Sequence, residues 1–351
     1  MRPTELDATR TATTSVRTIA ARYRRRETIV LFVGIAAVLL AAVVALTYPG
    51  AGLDRVSAWQ ALIHPDSGFG TTVIYEWRLP RVTAAIVVGA GLAIAGTLFQ
   101  TVTRNPLGSP DIIGFNTGAY TGVIVVSYLG FSSFINVALG AVIGGGITAL
   151  IIVVLALRRQ VSGMRLILVG IGVSLTLSAV NRYLILSADL DTAMAAATWA
   201  AGSLNGIEWI FVGPAAIVLA LIIVLAFTLR SRCEALELAD DTAYSLGLNV
   251  TRTRLVLVFL SALLTALCTA LAGPISFVAL AAPHLTRFLT GGQRVSLPAG
   301  ALIGATLLLV CDIIGQQLFH PTMLPVGVVT VTLGGTYLII LMLFAHRTYR
   351  R

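Results

Sequence analysis

Residues 112–157 read IIGFNTGAYTGVIVVSYLGFSSFINVALGAVIGGGITALIIVVLAL, 46 positions without a single Asp, Glu, Lys or Arg. A helix crosses the hydrocarbon core of a bilayer with about 20 apolar residues, so this stretch holds two crossings, 112–130 and 133–157. The same absence of charge marks 28–53, 82–103, 209–229, 255–286 and 313–346. None of these runs alternates apolar and polar residues as a membrane barrel strand does, so the spans are predicted to be helices.

The 351 residues are 57% hydrophobic and 11% charged. So few charges cannot clothe that much apolar surface in water, which excludes a soluble protein and predicts an all-α, multi-pass membrane protein. Hydropathy and helix breakers place ten spans near 28–48, 80–102, 112–130, 133–157, 164–187, 208–229, 255–272, 275–290, 296–318 and 325–345. The eighth is short and carries Pro283, His284 and Arg287. Residues 1–27 form an Arg-rich tail, 28–346 the membrane domain and 347–351 a second short tail.

All 24 basic residues are Arg. Without lysine there is no G-x-x-x-x-G-K-[ST] phosphate loop and no Schiff-base chemistry, so any ATP hydrolysis belongs to another chain. Cys233, Cys268 and Cys311 have no metal-ligand or disulfide spacing, the four His are scattered, and no metal or cofactor site is expected. A net charge of +9 could suggest nucleic acid, but the placement of the Arg residues fits the positive-inside rule better. With a cytoplasmic N-terminus and ten spans, 20 Arg fall inside and only Arg55, Arg78, Arg81 and Arg182 outside, which places both termini in the cytoplasm. Trp59, Trp77, Trp199 and Trp209 all fall near the outer interface, as an aromatic belt would.

Two connections are long. The outer one, 49–77, holds Pro49, Gly50, Gly52, Pro65 and Gly68. The inner one, 230–254, reads RSRCEALELADDTAYSLGLNVTRTR. Ala235, Leu236, Leu238, Ala239, Ala243, Leu246 and Leu248 offer an apolar face while Glu234, Glu237, Asp240 and Asp241 stay wet, predicting a short amphipathic helix pair. Its acidic centre is repelled by anionic lipid, which favours a protein partner over the membrane surface. Small residues such as Gly89, Gly96, Gly140 and Gly144 fill the spans, as close helix packing requires. A faint internal echo, Gly96 to Pro106 and Gly273 to Pro283, has the form of an inverted repeat.

Arg78 and Arg81 bracket Leu79-Pro80 at the outer mouth of the second span, against the charge rule. They either snorkel to lipid headgroups or grip acidic groups of an external partner. Asp312 is the one acid inside a clear span; it is either a proton relay or a structural partner. One buried acid gives no track of oxygen ligands for a bare hard cation, so the cargo is an organic molecule or a chelated metal.

Six motifs in order resemble one family. RLPR at 78–81, TRNPLGSPDIIGFNTGA at 103–119, WAAGSLNGIEW at 199–209, LADDTAYSLGL at 238–248, GPISFVALAAPHLTR at 273–287 and LPVGVVTVTLGGTYLIILM at 324–342 resemble the permease subunits of type II binding-protein-dependent ABC importers for ferric siderophores, heme and cobalamin. The resemblance covers about 28–346. It implies ten helices, a second permease subunit, two cytoplasmic ATPases and an extracytoplasmic binding protein in a bacterial inner membrane. It further implies that Arg78 and Arg81 dock the binding protein, that Asp240, Asp241, Ala243, Leu246 and Gly247 sit in the ATPase groove, and that the fifth and tenth spans line the pathway, making Thr176, Ser178 and Asn181 candidate lining residues. The chain departs from the pattern at Ala239 and Ala279, where Gly is usual, at Met323, where an outer acid is usual, and at Gln316, where an Arg is often found. A ferric siderophore is the expected cargo, with cobalamin and heme as alternatives; the rivals from other classes are an ion-coupled secondary transporter and a receptor without transport.

Overall fold

The computed structural model describes residues 3–348 apart from 67, 112, 132, 158–162, 239, 292–294 and 320. Arg158, Arg159, Arg294, Ala239 and the end of the C-terminal tail, 349–351, therefore lie outside the described residues. The chain runs α1 (Pro3–Thr47), α2 (Arg55–Ile63), α3 (Phe69–Thr72), a π-helical turn (Val73–Arg78), α4 (Leu79–Thr103), α5 (Phe115–Tyr128), α6 (Phe134–Leu157) and α7 (Gly163–Ser187). It continues with α8 (Leu190–Ala200), α9 (Trp209–Thr228), α10 (Arg230–Glu237), α11 (Asp240–Ser245), α12 (Val250–Ala272), α13 (Val278–Thr290), α14 (Leu297–Gln317) and α15 (Val326–Thr348). Among the described residues there is no strand, only an isolated bridge between Gly50 and Leu53.

Each of the ten expected spans meets a helix, yet seven helical stretches among the described residues are long and apolar enough to cross a membrane. Helix α5 has 14 residues and α13 only 13, about 20 Å each at 1.5 Å per residue, which is short of the hydrocarbon thickness. The expected span 112–130 loses its first turn because Gly114, at φ +106°, starts α5 late. The expected span 275–290 begins only after Phe277, also at positive φ. Pro283 sits inside α13 rather than at a span's end, while Gly273 caps α12 and Gly96 lies mid-helix in α4. The two halves of the echo therefore do different work.

Two other boundaries move outward. The expected outer loop contains α2 and α3, and the second span is one helical run from Phe69 to Thr103. Asn249 caps α12 by accepting from the Arg252 amide at 3.0 Å, which draws Arg252 and Arg254 into the helix. The Arg-rich tail is not a separate element, since α1 runs through it.

Helix α4 is the axis of the bundle. Its membrane stretch is 78% buried, and it packs on α14, α12, α13 and α9. Small residues permit this: a Cβ on Gly96 would stand 1.8 Å from the Ala279 carbonyl oxygen of α13. By the same logic a Cβ on Gly122 of α5 would stand 1.9 Å from the Gly140 oxygen of α6. Backbones that approach this closely gain dispersion contacts that lipid tails cannot supply. Helix α7 is the opposite, with 11% of its apolar window buried and Met164, Leu168, Leu175, Tyr183 and Leu186 exposed.

Candidate functional site

The candidate docking and coupling residues gather at the two ends of α4. At the end expected to be outer, the chain passes through a π turn, a wider helical geometry found mostly as short insertions at functional places. Pro80 follows the π turn inside this helical run and cannot donate back to the turn before it; the Tyr75 carbonyl takes a bond from the Trp209 indole at 2.7 Å instead. Arg78 donates from Nη1 to the carbonyls of Leu46 at 2.7 Å and Tyr48 at 2.6 Å, and from Nη2 to Gly50 at 2.7 Å. Leu46 is an acceptor left open where α1 ends, and Tyr48 and Gly50 lie just beyond it, Gly50 also accepting from the Leu53 amide at 3.1 Å. Arg81 forms a two-pronged pair with Asp312 of α14, Nε to Oδ2 and Nη2 to Oδ1, each at 2.8 Å. The pair is almost dry, with side chains 11% and 1% exposed. Gln316 donates to the same carboxylate at 2.8 Å, and Met323 Sδ lies 3.8 Å from Arg81 Nη1.

Both guanidiniums thus have partners inside the chain, where the sequence reading gave them an external one. Both side chains are only part-buried, and Arg81 alone of the two has a counter-charge among the described residues. Asp312 is a structural partner; the sequence could not pair two residues 231 positions apart. The two departures from the family pattern, Gln316 and Met323, both touch this pair.

Beside it, a cavity of about 630 Å³ opens between the start of α4 and residues 204–210. Glu76, Trp77, Arg81, Glu208, Trp209 and Met323 line it. Glu208 begins α9 without a side-chain cap bond, and the Trp209 indole donates to the Tyr75 carbonyl at 2.7 Å. Glu76 and Glu208, which the sequence reading passed over, are exposed; no motif marks them, because their role comes from proximity in the fold. The WAAGSLNG segment before α9 is a junction: Ser203 N donates to Ala272 O at 2.8 Å and Gly327 N to Gly202 O at 3.0 Å.

The other end of α4 meets α10 and α11, the helix pair expected from 230–254. Arg104 caps α4 in the left-handed region at φ +49°. Its Nε and Nη2 donate to the Leu236 carbonyl at 3.0 and 2.8 Å, and Nη2 also reaches Asp240 Oδ1 at 2.6 Å. Arg254 of α12 donates to both Asp240 oxygens at 2.9 and 3.2 Å. Asp240 is therefore a tether between three elements, where the sequence predicts a solvated acid and the resemblance implies a place in the ATPase groove. Of the expected apolar face, Leu236 and Ala243 are buried with Cys233, whereas Leu238 and Leu246 are exposed beside Tyr244. Asp241 and Gly247 also face out; Gly247 has φ +80° and open space around it, so glycine there answers a backbone need, not a steric one. Glu237 is only partly exposed, and burial pushes its carboxyl up to about 7, with Arg287 pulling it down and Glu234 raising it. Arg287 in turn donates to Gln100 Oε1.

The candidate pathway residues on α7 separate. The Thr176 hydroxyl folds back onto the Gly172 carbonyl at 3.0 Å on an exposed face, and Ser178 is half-buried. Asn181 is buried against α5, its Nδ2 3.4 Å from the Thr117 carbonyl, and its Oδ1 has no partner among the described residues.

An all-helical, multi-pass membrane bundle with close small-residue packing and a small helical platform at one end defines a membrane transport subunit. The chain belongs to the FecCD transport family, whose model matches residues 27–344. It is similar to the ferric enterobactin transport system permease protein FepG of Escherichia coli, with 46% identity over 92% of this chain and 98% of that one. It is also similar to the iron(3+)-hydroxamate import system permease protein FhuG of Bacillus subtilis, with 36% identity over 78% of this chain and 84% of that one. Among solved structures, a metal-chelate type ABC transporter in an inward-facing conformation superposes with a TM-score of 0.81 at 28% identity, covering 90% of this chain and 99% of that one.

Proposed function

We propose that the chain is the permease subunit of an ABC importer that carries a ferric siderophore across a bacterial cytoplasmic membrane. Cargo transport requires no chemistry on the substrate here; two separate cytoplasmic subunits hydrolyse ATP, a second permease subunit completes the pathway, and an extracytoplasmic binding protein delivers the cargo. The observation that carries the reading is the near full-length similarity to a permease named for ferric enterobactin, supported by the lysine-free sequence and by a platform that leaves Tyr244 and Leu246 uncovered. Large apolar side chains at an aqueous end call for a protein partner.

In this reading Asp241, Leu246 and Gly247 meet the ATPase, while Ala243 and Asp240 seat the helix. The binding protein docks over the outer cavity. Arg78 and Arg81 fix the shape of that face, and Glu76, Trp77 and Glu208 meet the partner. Thr176 and Ser178 face the pathway, and Asn181 supports them from behind. The Arg-rich end, with its 20 expected basic residues, lies in the cytoplasm.

Uptake of a panel of radiolabelled ferric chelates by a strain lacking this chain, with and without the chain restored, tests the reading. ATP-dependent accumulation of one ferric siderophore is the expected result. Accumulation that stops with a protonophore at constant ATP would place the chain among ion-coupled carriers instead.

A further inference from the structure

We infer that α4 is the rod that carries motion from the ATPase platform to the outer mouth, with Arg104 as its inner joint; the inference rests on the importer reading above. The helical run Phe69–Thr103 has 35 residues, about 52 Å at 1.5 Å per residue. That exceeds a bilayer with its headgroups, at about 40–45 Å, so one continuous element reaches both aqueous faces. It is also the most enclosed of the candidate spans, at 78% burial against 11% for α7. A helix packed on four others moves as a rigid body or not at all, because close-packed interiors do not deform smoothly.

Each end of the rod is clasped by arginine. At the outer end, Arg81 binds Asp312 of α14 and Arg78 binds the end of α1. At the inner end, Arg104 takes up the Leu236 and Leu238 carbonyls and the Asp240 carboxylate at once. Besides Arg104, the platform is held by Arg254 of α12 on Asp240 and by Arg230 of α10 on Glu27 of α1. Helix α11 buries only Ala243 and α10 only Cys233 and Leu236. Arg104 also sits in a left-handed backbone conformation that a side chain other than glycine rarely adopts, a kind of strain that persists where surrounding bonds over-determine it. The planar fork serves three acceptors in fixed directions, which a lysine ammonium on a flexible stem does not. A displacement of α11 by a partner therefore reaches α4 through Arg104, and Arg254 steadies Asp240 from α12.

The inference places Arg104 as a positioning residue, and its test reads transmission, not assembly. The complex of this chain with its ATPases is reconstituted in lipid, unaltered and with Arg104→Ala, Arg104→Lys or Arg254→Ala. The first readout is cargo moved per ATP hydrolysed. The second is the rate at which a membrane-impermeant maleimide modifies Leu204→Cys, a position 1% exposed in the wall of the outer cavity, with and without ATP and vanadate. The three native cysteines are buried and give little background.

ATP-dependent uptake by the unaltered complex tests the importer reading separately. Given that uptake, Arg104→Ala is expected to lower transport per ATP by roughly tenfold, an ordinary coupling free energy, and to abolish the nucleotide-dependent change in labelling. Arg104→Lys should behave like Arg104→Ala although the charge remains, and Arg254→Ala should keep at least about half the coupling, since a second arginine still holds Asp240. Wild-type coupling and labelling in the Arg104→Ala complex, or in Arg104→Lys if the alanine variant does not assemble, would overturn the inference. So would loss of the ATPase from both variants, because Arg104 would then belong to the docking surface.

Discussion

The two ends of α4 use the same residue type under opposite solvation. At the outer end the Arg81–Asp312 pair is 11% and 1% exposed, and at the inner end the Arg104–Asp240 pair is 37% and 39% exposed. In a dry site the partner of each charge is compulsory, because an uncompensated buried ion has lost its hydration and gained nothing. In a half-wet site water replaces either partner cheaply. The outer arginines thus lock α1, α4 and α14 together, whereas the inner one holds the platform through a pair that water reaches. A signature that reads as one kind of residue in the sequence divides into a scaffold and a joint.

The sharpest way to break this comparison is to remove Asp312. Asp312→Ala leaves the Arg81 guanidinium buried and alone, and should destabilise the purified protein by about 3–5 kcal/mol, read as a fall in its thermal unfolding midpoint. Replacing both partners, Arg81→Met with Asp312→Leu, should recover most of that loss, because no charge is stranded. A double variant as unstable as the single one would show that the pair does not act as a unit.

Next in size is Arg78→Ala, which removes the donor from the Leu46, Tyr48 and Gly50 carbonyls, of which Gly50 keeps its bond from the Leu53 amide. Hydrogen bonds to a charged group are worth about 1.5–3 kcal/mol, and the loss should be insensitive to salt, since a partly buried contact is poorly screened. Binding-protein affinity at low and high salt adds the functional arm: an affinity that falls with salt to the same degree in Arg78→Ala and the unaltered protein agrees with a structural role.

Glu237 gives a smaller, pH-dependent effect. Its carboxyl is raised from 4.5 to about 7 in the folded protein, so the folded form holds the proton more tightly than the unfolded chain does. The associated stability is fully present below the unfolded value and is lost as pH rises through about 7. At 1.36 kcal/mol per pH unit the ceiling is about 3 kcal/mol, and partial solvation reduces it to roughly half. Glu237→Gln should flatten the dependence of the unfolding midpoint between pH 5 and 8, as read by thermal scans.

The smallest effect is expected at the inner joint. Asp240→Ala should cost stability only about 0.2–1 kcal/mol, with a dependence on salt that the outer pair lacks. A loss as large as that of Asp312→Ala, in the same unfolding scans, would erase the distinction between the two ends.

Much of this was legible in the sequence. Charge-free runs located the membrane helices because hydrocarbon admits no unpaired backbone and few charges, whatever the neighbours. The apolar and acidic alternation of 230–254 announced its helix pair, since amphipathicity is a local property. Local pattern could not reveal that Arg81 faces Asp312, that Gln316 and Met323 close around that pair, or that Glu76 and Glu208 share a cavity. Those juxtapositions join residues far apart in the chain, and nothing in the spacing of one segment records the other.

Boundaries moved for the same reason. Charged residues enter α12 at Arg252 and Arg254 because Asn249 supplies a cap and Asp240 supplies a counter-charge, and α13 starts late because Phe277 takes a left-handed turn. Composition and periodicity by themselves determined a helical, multi-pass membrane protein, because that property depends on the transfer of each segment between water and lipid. Only the tertiary structure decided which arginines are fixtures and which is a joint, because that depends on the water left around each charge once the helices have packed.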